Sequence, residues 1–394
     1  GAAGGRGCRV TVVERNAKAG RKLRIAGKGR CNLTNAADVE GILAHVPGNP
    51  KFLRTAMYHF PPERVIAFFA QLGLQTKTER GGRVFPVSDN ADDVARALLA
   101  YCRRGKVHFH TGMPIRRILV SQGRVNGVIS DDGAVLHADA VILATGGASY
   151  PGTGSQGDGY RMAAELGHTI VPIRPSLVPL ETEETWPKEV QGLSLRNVAL
   201  TARIDGKSVY RAVGELLFTH YGVSGPLVLS ASRHVGAHPG STLELDLKPG
   251  LGDEQLDARV LRDFAKYHRR EFGNALGDLL PQSLIPVVIR LSRIGHDTWI
   301  SCVTRAQRLM LVRLLKHLIL TVKRTRPFTE AITTVGGVST KEIDPGTMQS
   351  RLVPGLYCCG EVIDVDGYTG GYNLQIAWAT GRLAGEHAGE EAAD

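Results

Sequence analysis

No Cys-x-x-Cys spacing occurs in this 394-residue chain, although it has six cysteines: Cys8, Cys31, Cys102, Cys302, Cys358 and Cys359. That spacing pattern argues against a zinc framework and a dithiol redox loop, and no metal centre is expected. Cys358 and Cys359 lie side by side in an apolar stretch, where a strand would send them to opposite faces. All six read as reduced thiols of a cytoplasmic protein. No apolar run reaches the roughly 18 residues that cross a bilayer, and no signal peptide is visible, so no membrane partner is expected. Aromatic residues make up 6% of the chain and nowhere interleave with basic ones as on a nucleic-acid stacking platform. The net charge is +10, but its densest groups are only Arg21-Lys22, Arg269-Arg270 and Lys323-Arg324. A nucleic-acid partner is therefore not the first expectation. Such a surface suits an anionic small-molecule substrate or a nicotinamide dinucleotide as well. Nothing in the chain signals its oligomeric state.

What is present begins at the front. Residues 9–14, R-V-T-V-V-E, read as a strand ending in an acid. In a dinucleotide-binding βαβ unit an acid in that place bonds a ribose hydroxyl, and Glu14 fits the role. The strand and helix that belong roughly 20 residues ahead of such an acid are not found. Gly1 and Gly4, with Ala2 and Ala3 between them, read as the second and third glycines of a G-x-G-x-x-G fingerprint, with the helix expected between Gly4 and Gly5 omitted. Arg15 and Asn16 follow the acid directly. Next comes A-G-R-K-L-R-I-A-G-K-G-R-C-N-L-T-N, residues 19–35. Its Gly27 and Gly29 permit close backbone approach, and Arg21, Lys22 and Arg30 are suited to phosphate oxygens. Asn32, Thr34 and Asn35 offer neutral hydrogen bonds, with Cys31 among them.

Two further stretches have the same character. Residues 138–143 form an apolar strand that runs into Ala144-Thr145-Gly146-Gly147 and a loop at 150–159, where Asp158 is positioned to cap a helix at 159–166. Near the end, an apolar strand runs into Gly360-Glu361, then Asp364, Gly370 and Gly371, then a helix from Tyr372 through Asn373, Leu374 and Gln375. That helix start offers unpaired amides and partial positive charge to an electron-rich planar group. Gly370 and Gly371 read as small so that a ring can lie close above them. Glu361 and Asp364 read as acceptors for hydroxyls.

Three motifs now stand in order: G-R-K-L-x-I-x-G-x-G-R-C-N-L-T-N, A-T-G-G-A-S-Y-P-x-T-G-S-x-G-D-G-Y and G-E-V-x-D-V-D-G-Y-T-G-G-Y-N-L-Q-x-A. Together they resemble the BaiN/YhiN-type FAD-dependent oxidoreductases of the glutathione-reductase-like flavoprotein group, along the whole chain. Ala26 and Lys28 depart from that pattern, and Lys28 brings an extra charge to the loop rim. The resemblance implies an α/β fold. A Rossmann-like FAD-binding domain (a parallel sheet with helices and a β-meander) is expected over 1–170 and 327–394. An inserted β-barrel-like domain is expected over 171–326, with a small helical subdomain at about 251–300. It also implies FAD as cofactor and an adenine contact at Ile115.

The pattern of residues predicts helices over 62–72, 92–103, 256–272 and 305–314, and strands over 198–205, 207–211 and 242–247. His220 and Tyr221, in a polar Gly-rich stretch, are the candidate proton donors. His268, His296 and His317 lack metal-ligand company along the sequence. No second complete G-x-G-x-x-G follows a strand, so NAD(P)H is expected as a transient donor at an open flavin face. The expected reaction is hydride transfer through FAD to a conjugated carbon–carbon double bond. The resemblance carries this class of reaction, seen in bile-acid enone reduction, but not the substrate. An RNA-binding flavoprotein of nucleotide modification is the alternative.

Overall fold

A computed structural model describes residues 2–4 and 7–391. The chain divides into two compact units, residues 1–175 with 328–394, and residues 176–327.

The first unit is Rossmann-like. Strand Thr11–Glu14 runs parallel to His108–Thr111, with Thr11 opposite His108 and Glu14 opposite Thr111. Parallel neighbours need a crossover, and the helix Ala91–Arg104 returns the chain into the second strand. Asn90 caps that helix through the Asp92 amide. Asp92 and Asp93 sit in its first turn and Arg103 and Arg104 in its last, which complements the helix dipole at both ends. A second parallel pair joins Val141–Leu143 to Leu356–Cys358. Among the described residues no further strand joins the two pairs. An antiparallel meander of Ile115–Ser121, Arg124–Ser130 and Val135–His137 lies between them in sequence. The long helix Tyr372–Glu391 buries Ile376, Ala379, Leu383 and Ala384 in a core with Ile42, Met57, Leu143, Cys358 and Val362.

The second unit is a closed six-stranded barrel. Around it the order is Leu180–Thr182, Gly222–Ser224, Lys207–Thr219, Ser194–Ile204, Thr242–Asp246 and Leu318–Thr325, which returns to the first strand. Its core centres on Leu180, Leu200, Leu216, Phe218, Leu243 and Leu320 and continues into the helices Asp253–Lys266, Ile285–Ser292 and Arg305–Lys316.

Three local expectations change. The helix expected over 256–272 stops at Lys266. Beyond it His268, Arg269 and Arg270 are exposed, and Glu271 pairs instead with Trp299 as an isolated bridge. The strands expected over 198–205 and 207–211 are one long hairpin, because Ser194 pairs with Leu217 beyond the apolar stretch. Asp158 begins its helix rather than capping it; Gly157 holds the N-cap place and the Asp158 carboxylate is paired with Arg15.

Candidate functional site

Glu14 ends its strand at a turn. Its Oε1 accepts the Asn16 backbone N–H at 2.8 Å and the Asn16 Nδ2 at 2.7 Å. Among the described residues no donor meets its Oε2. Asn16 Nδ2 also donates to the Thr153 carbonyl at 2.9 Å. The Asn16 and Glu14 carbonyls accept from Gly112 and Met113, at 2.9 and 3.1 Å, and this fixes the approach to Ile115 at the head of the meander. Arg15, Asn16 and the loop 150–159 therefore gather around the acid, with Ile115 two residues beyond Met113. At the front, a Cβ on Gly4 would lie 3.0 Å from the Gly105 carbonyl. Ala2 and Ala3 lie against Gly385 of the last helix, and Cys8 Sγ is bonded to the Gly389 carbonyl. The expected role of Gly1 falls outside the described residues.

Glu361 lies at the centre of a second cluster. Its Oε1 accepts the Thr334 N–H at 2.9 Å and the Ser149 hydroxyl at 3.0 Å, and its Oε2 accepts Lys22 Nζ at 2.5 Å. Lys22 also donates to Ser149 at 2.7 Å. The stretch Ala144–Gly147 passes directly beside this carboxylate. A Cβ on Gly147 would fall 2.6 Å from Glu361 Oε1 and 2.5 Å from Thr334 Oγ1, and Thr145 fills the space that a side chain on Gly159 would need. Gly360 donates to Thr380 Oγ1 at 3.0 Å. Asp364 is tied to Asn49 Nδ2 at 3.0 Å. Nothing in the sequence marked Thr334, which sits in a wholly buried strand. Ser149 stood inside a motif without a role.

The third cluster joins the basic segment to the last helix. The loop 26–31 is closed by the Cys31 amide on the Ala26 carbonyl at 2.8 Å. Gly27, Lys28, Gly29 and Cys31 all have positive φ. The Cys31 thiol is pushed up to about 12 by burial and is not a thiolate at neutral pH. Arg30 lies 4.1 Å above the Phe85 ring and binds Glu79 and Asp89. The Arg30 bond holds the Glu79 carboxyl below its ordinary range, while Lys77 and then Arg30 do so for Asp89. Beyond the loop, the Thr34 hydroxyl donates to Gln375 Oε1 at 2.6 Å, and Gln375 Nε2 donates to the Phe60 carbonyl at 2.8 Å. Asn35 Nδ2 reaches the Gly370 carbonyl at 3.0 Å, and Trp378 Nε1 the Leu33 carbonyl at 2.9 Å.

Segment 32–35 is thereby held against the start of the helix. Asn373 closes the preceding loop on Gly367, and Tyr372 stacks on His45 at 4.4 Å. The Leu374 side chain packs on the apolar cluster of Cys31, Leu33 and Phe69. The first amide to find a carbonyl at the helix start is that of Gln375, on Gly371 at 3.1 Å. The amides of Tyr372, Asn373 and Leu374 thus have no intrahelical acceptor. Asn32 Oδ1 is buried beside Gly371 without a hydrogen-bond partner among the described residues.

The reason for glycine at 371 differs from the expected one. Its φ is +99° and an added Cβ would lie 2.3 Å from the Thr34 carbonyl oxygen, so the glycine lets two protein segments touch whether or not a ring lies above. A valine there collides with backbone and disturbs the fold itself, not only ring access.

His220 and Tyr221 belong to the second unit, in the turn between Lys207–Thr219 and Gly222–Ser224. Arg326 covers the Tyr221 ring at 4.6 Å and also binds Glu181. His296 has company after all. Its ligand atom, with those of Glu271 and Asp297, falls within 4.8 Å because the Glu271–Trp299 bridge brings the two segments together. His296 and Asp297 are solvent-exposed and Asp297 already takes the imidazole Nδ1. Two open hollows are present, one in each unit. One of about 380 Å³ is lined by Asn49, Lys51, Phe52 and Lys341, and one of about 460 Å³ by Met310, Arg313 and His317. Among the described residues no helix is long and apolar enough to cross a membrane.

The family described as HI0933-like protein Rossmann domain matches residues 1–387. The chain belongs to this family. Membership makes it a flavin-dependent oxidoreductase of the Rossmann type. It is 37% identical over 386 residues to the 3-dehydro-bile acid delta(4,6)-reductase of Clostridium scindens, covering 97% of this chain and 93% of that protein. It is 31% identical over 378 residues to the ribosomal RNA dihydrouridine synthase of Escherichia coli, covering 96% and 91%. Among solved structures, 3-ketosteroid delta1-dehydrogenase from Sterolibacterium denitrificans, in complex with 1,4-androstadiene-3,17-dione, superposes with a TM-score of 0.51. The identity is 12%, over 99% of this chain and 96% of that one, a likeness of fold.

Proposed function

We propose that this protein is an FAD-dependent reductase of carbon–carbon double bonds conjugated to a carbonyl, drawing its electrons from NAD(P)H. The observation that carries the reading is the third cluster. A buried acceptor without a donor, Asn32 Oδ1, stands beside the unpaired first-turn amides of the helix Tyr372–Glu391. An isoalloxazine ring has the ring N–H that such an acceptor needs, and it gathers negative charge on reduction, which helix amides stabilise. The residues present therefore fit the group. When bound, FAD supplies hydride transfer between donor and acceptor. Glu14 Oε2 would accept from a ribose hydroxyl. Three of the roughly four acceptor positions of Glu361 are taken by protein donors, so it has about one left for a ribityl hydroxyl. Lys22 keeps that carboxylate oriented.

The relatives' names support the reaction class. A 3-oxo steroid unsaturated at positions 4 and 6 and a uracil ring both present a double bond in conjugation with a carbonyl. The second reading, uracil within RNA as the substrate, is favoured by the net charge of +10 together with the E. coli relative.

One experiment separates them. The purified protein, expected to be yellow, is reduced anaerobically with NADH or NADPH and then offered a 4-en-3-one steroid or a uridine-containing RNA. Reoxidation by the steroid supports the first reading; reoxidation by the RNA alone, with salt-sensitive retention, supports the second. A colourless protein that takes up no added FAD would sink both.

A further inference from the structure

The basic segment 21–30 carries five cations, Arg21, Lys22, Arg24, Lys28 and Arg30, and most are already neutralised. Lys22 is paired with Glu361, Arg24 with Asp92, and Arg30 with Glu79 and Asp89. Arg21 is bonded to the Asn16 side-chain carbonyl at 3.2 Å. Lys28 alone of the five has no hydrogen bond, ion pair or ring contact among the described residues, and its side chain is exposed.

Its backbone is also unusual. Lys28 has φ +60° between Gly27 at +58° and Gly29 at +83°. A non-glycine residue in the left-handed region carries a conformational cost that glycine escapes. A lysine at the tip of a glycine loop, with nothing to bind among the described residues, gains no stability from its side chain. What it has is position. The loop is closed by the Cys31–Ala26 bond, and its far side, Asn32, lies 3.0 Å from the Cβ position of Gly371 at the helix start. The lysine therefore presents an exposed ammonium from a loop whose next residue, Asn32, lies beside the helix start.

We infer that Lys28 is a specificity-determining residue that docks an anionic group, phosphate or carboxylate, of a reactant that approaches the flavin. The inference rests on the flavoenzyme reading above. It concerns the visiting reactant and not the resident cofactor, a division that the FAD content of the variants checks. The two sources of the anion, the pyrophosphate of a nicotinamide dinucleotide and a side-chain carboxylate of the acceptor, share one chemistry and are separated by the choice of probe.

The test uses FAD-loaded protein, wild type against Lys28→Gly and Lys28→Arg. Binding of NADPH, of NADH, of a steroid enone bearing a carboxylate and of its methyl ester is measured by calorimetry at low and high salt. The expected result is a weakening of about fivefold for at least one anionic probe in Lys28→Gly, the upper range of a single exposed charge pair. Lys28→Arg restores that affinity, high salt erases the difference, and the methyl ester binds all forms alike. FAD content stays at the wild-type level. The melting temperature of Lys28→Gly equals or exceeds that of wild type, whereas a structural role for the lysine would lower it. Equal binding of every anionic probe to wild type and Lys28→Gly overturns the inference, as does equal weakening of the ester or failure of wild type to bind any anionic probe. A protein that is yellow yet indifferent to Lys28 fails this inference alone. A protein that never takes up FAD fails the functional reading on which it stands.

Discussion

Glu14 and Arg30 are charged side chains of the same unit, and their surroundings satisfy them differently. Glu14 is recognisable because an acid closes an apolar strand, and among the described residues one of its two oxygens is unclaimed. Arg30 looked equally suited to a ligand, yet Glu79 and Asp89, 49 and 59 residues away, claim it. No local pattern announces such distant partners. The two residues therefore differ in what they leave open to a ligand. Glu14→Ala is expected to weaken FAD retention by roughly 1.5–3 kcal/mol, the worth of a charged acceptor, and to lower apoprotein stability by about 1 kcal/mol as Asn16 loses the oxygen it binds. Equilibrium dialysis against FAD, alongside apoprotein urea melts, checks both parts. Unchanged FAD affinity would remove the acid from the ribose.

Among elements, the pairing of the segment 32–35 with the helix Tyr372–Glu391 decides whether a site exists. The Thr34–Gln375 bond and the close approach at Gly371 hold them together. Gly371→Ala must adopt a φ of +99° and meet the Thr34 backbone, so a loss of about 2 kcal/mol or more is expected. Urea denaturation of the apoprotein measures it without any flavin. A second tie fastens the end of the helix Asp158–Glu165 to residues 339–350. His168 is buried, with Nδ1 on Glu342 at 3.2 Å and Nε2 on the Ser350 hydroxyl at 2.9 Å. Ser350 Oγ also accepts from Leu352 and Val353, which leaves its own proton to point at Nε2 and suits the neutral imidazole. Burial holds the His168 pKa below its ordinary value, against the pull of Glu342.

The unfolded chain therefore takes up a proton on this histidine before the folded protein does. Stability from the tie is complete above the unfolded value of about 6.5 and drains away as pH falls below it. Melting temperatures from pH 7.5 to 5.5 should decline more steeply in wild type than in His168→Asn; parallel curves would refute the assignment. Both elements show what the sequence makes visible. The glycine-rich helix start is a local pattern and could be read directly, together with the strand before it. The carbonyl that fills the space over Gly371 comes from residue 34, and only the fold brings it there.

For the whole molecule, the change in rhythm after residue 170 is visible in the sequence, but closure of the barrel is not. Closure depends on Leu180–Thr182 pairing with Leu318–Thr325, a contact across more than a hundred residues that leaves no periodic trace. That same pairing has a physical consequence. Leu180 lies opposite Thr325, so the chain enters and leaves this unit on adjacent strands. The barrel core draws all its buried members from within residues 176–327. A unit with its own core and neighbouring ends has what autonomous folding requires. We therefore expect the fragment 176–327, produced alone, to unfold cooperatively in urea and to give a dispersed amide spectrum. The counterpart, residues 1–175 joined to 328–394 by a short glycine–serine linker, should retain FAD, since every proposed cofactor contact lies within it. A fragment without a cooperative transition would mean that the barrel draws its stability from outside its own core. A linked counterpart that folds but stays colourless would mean that cofactor retention needs residues of the second unit.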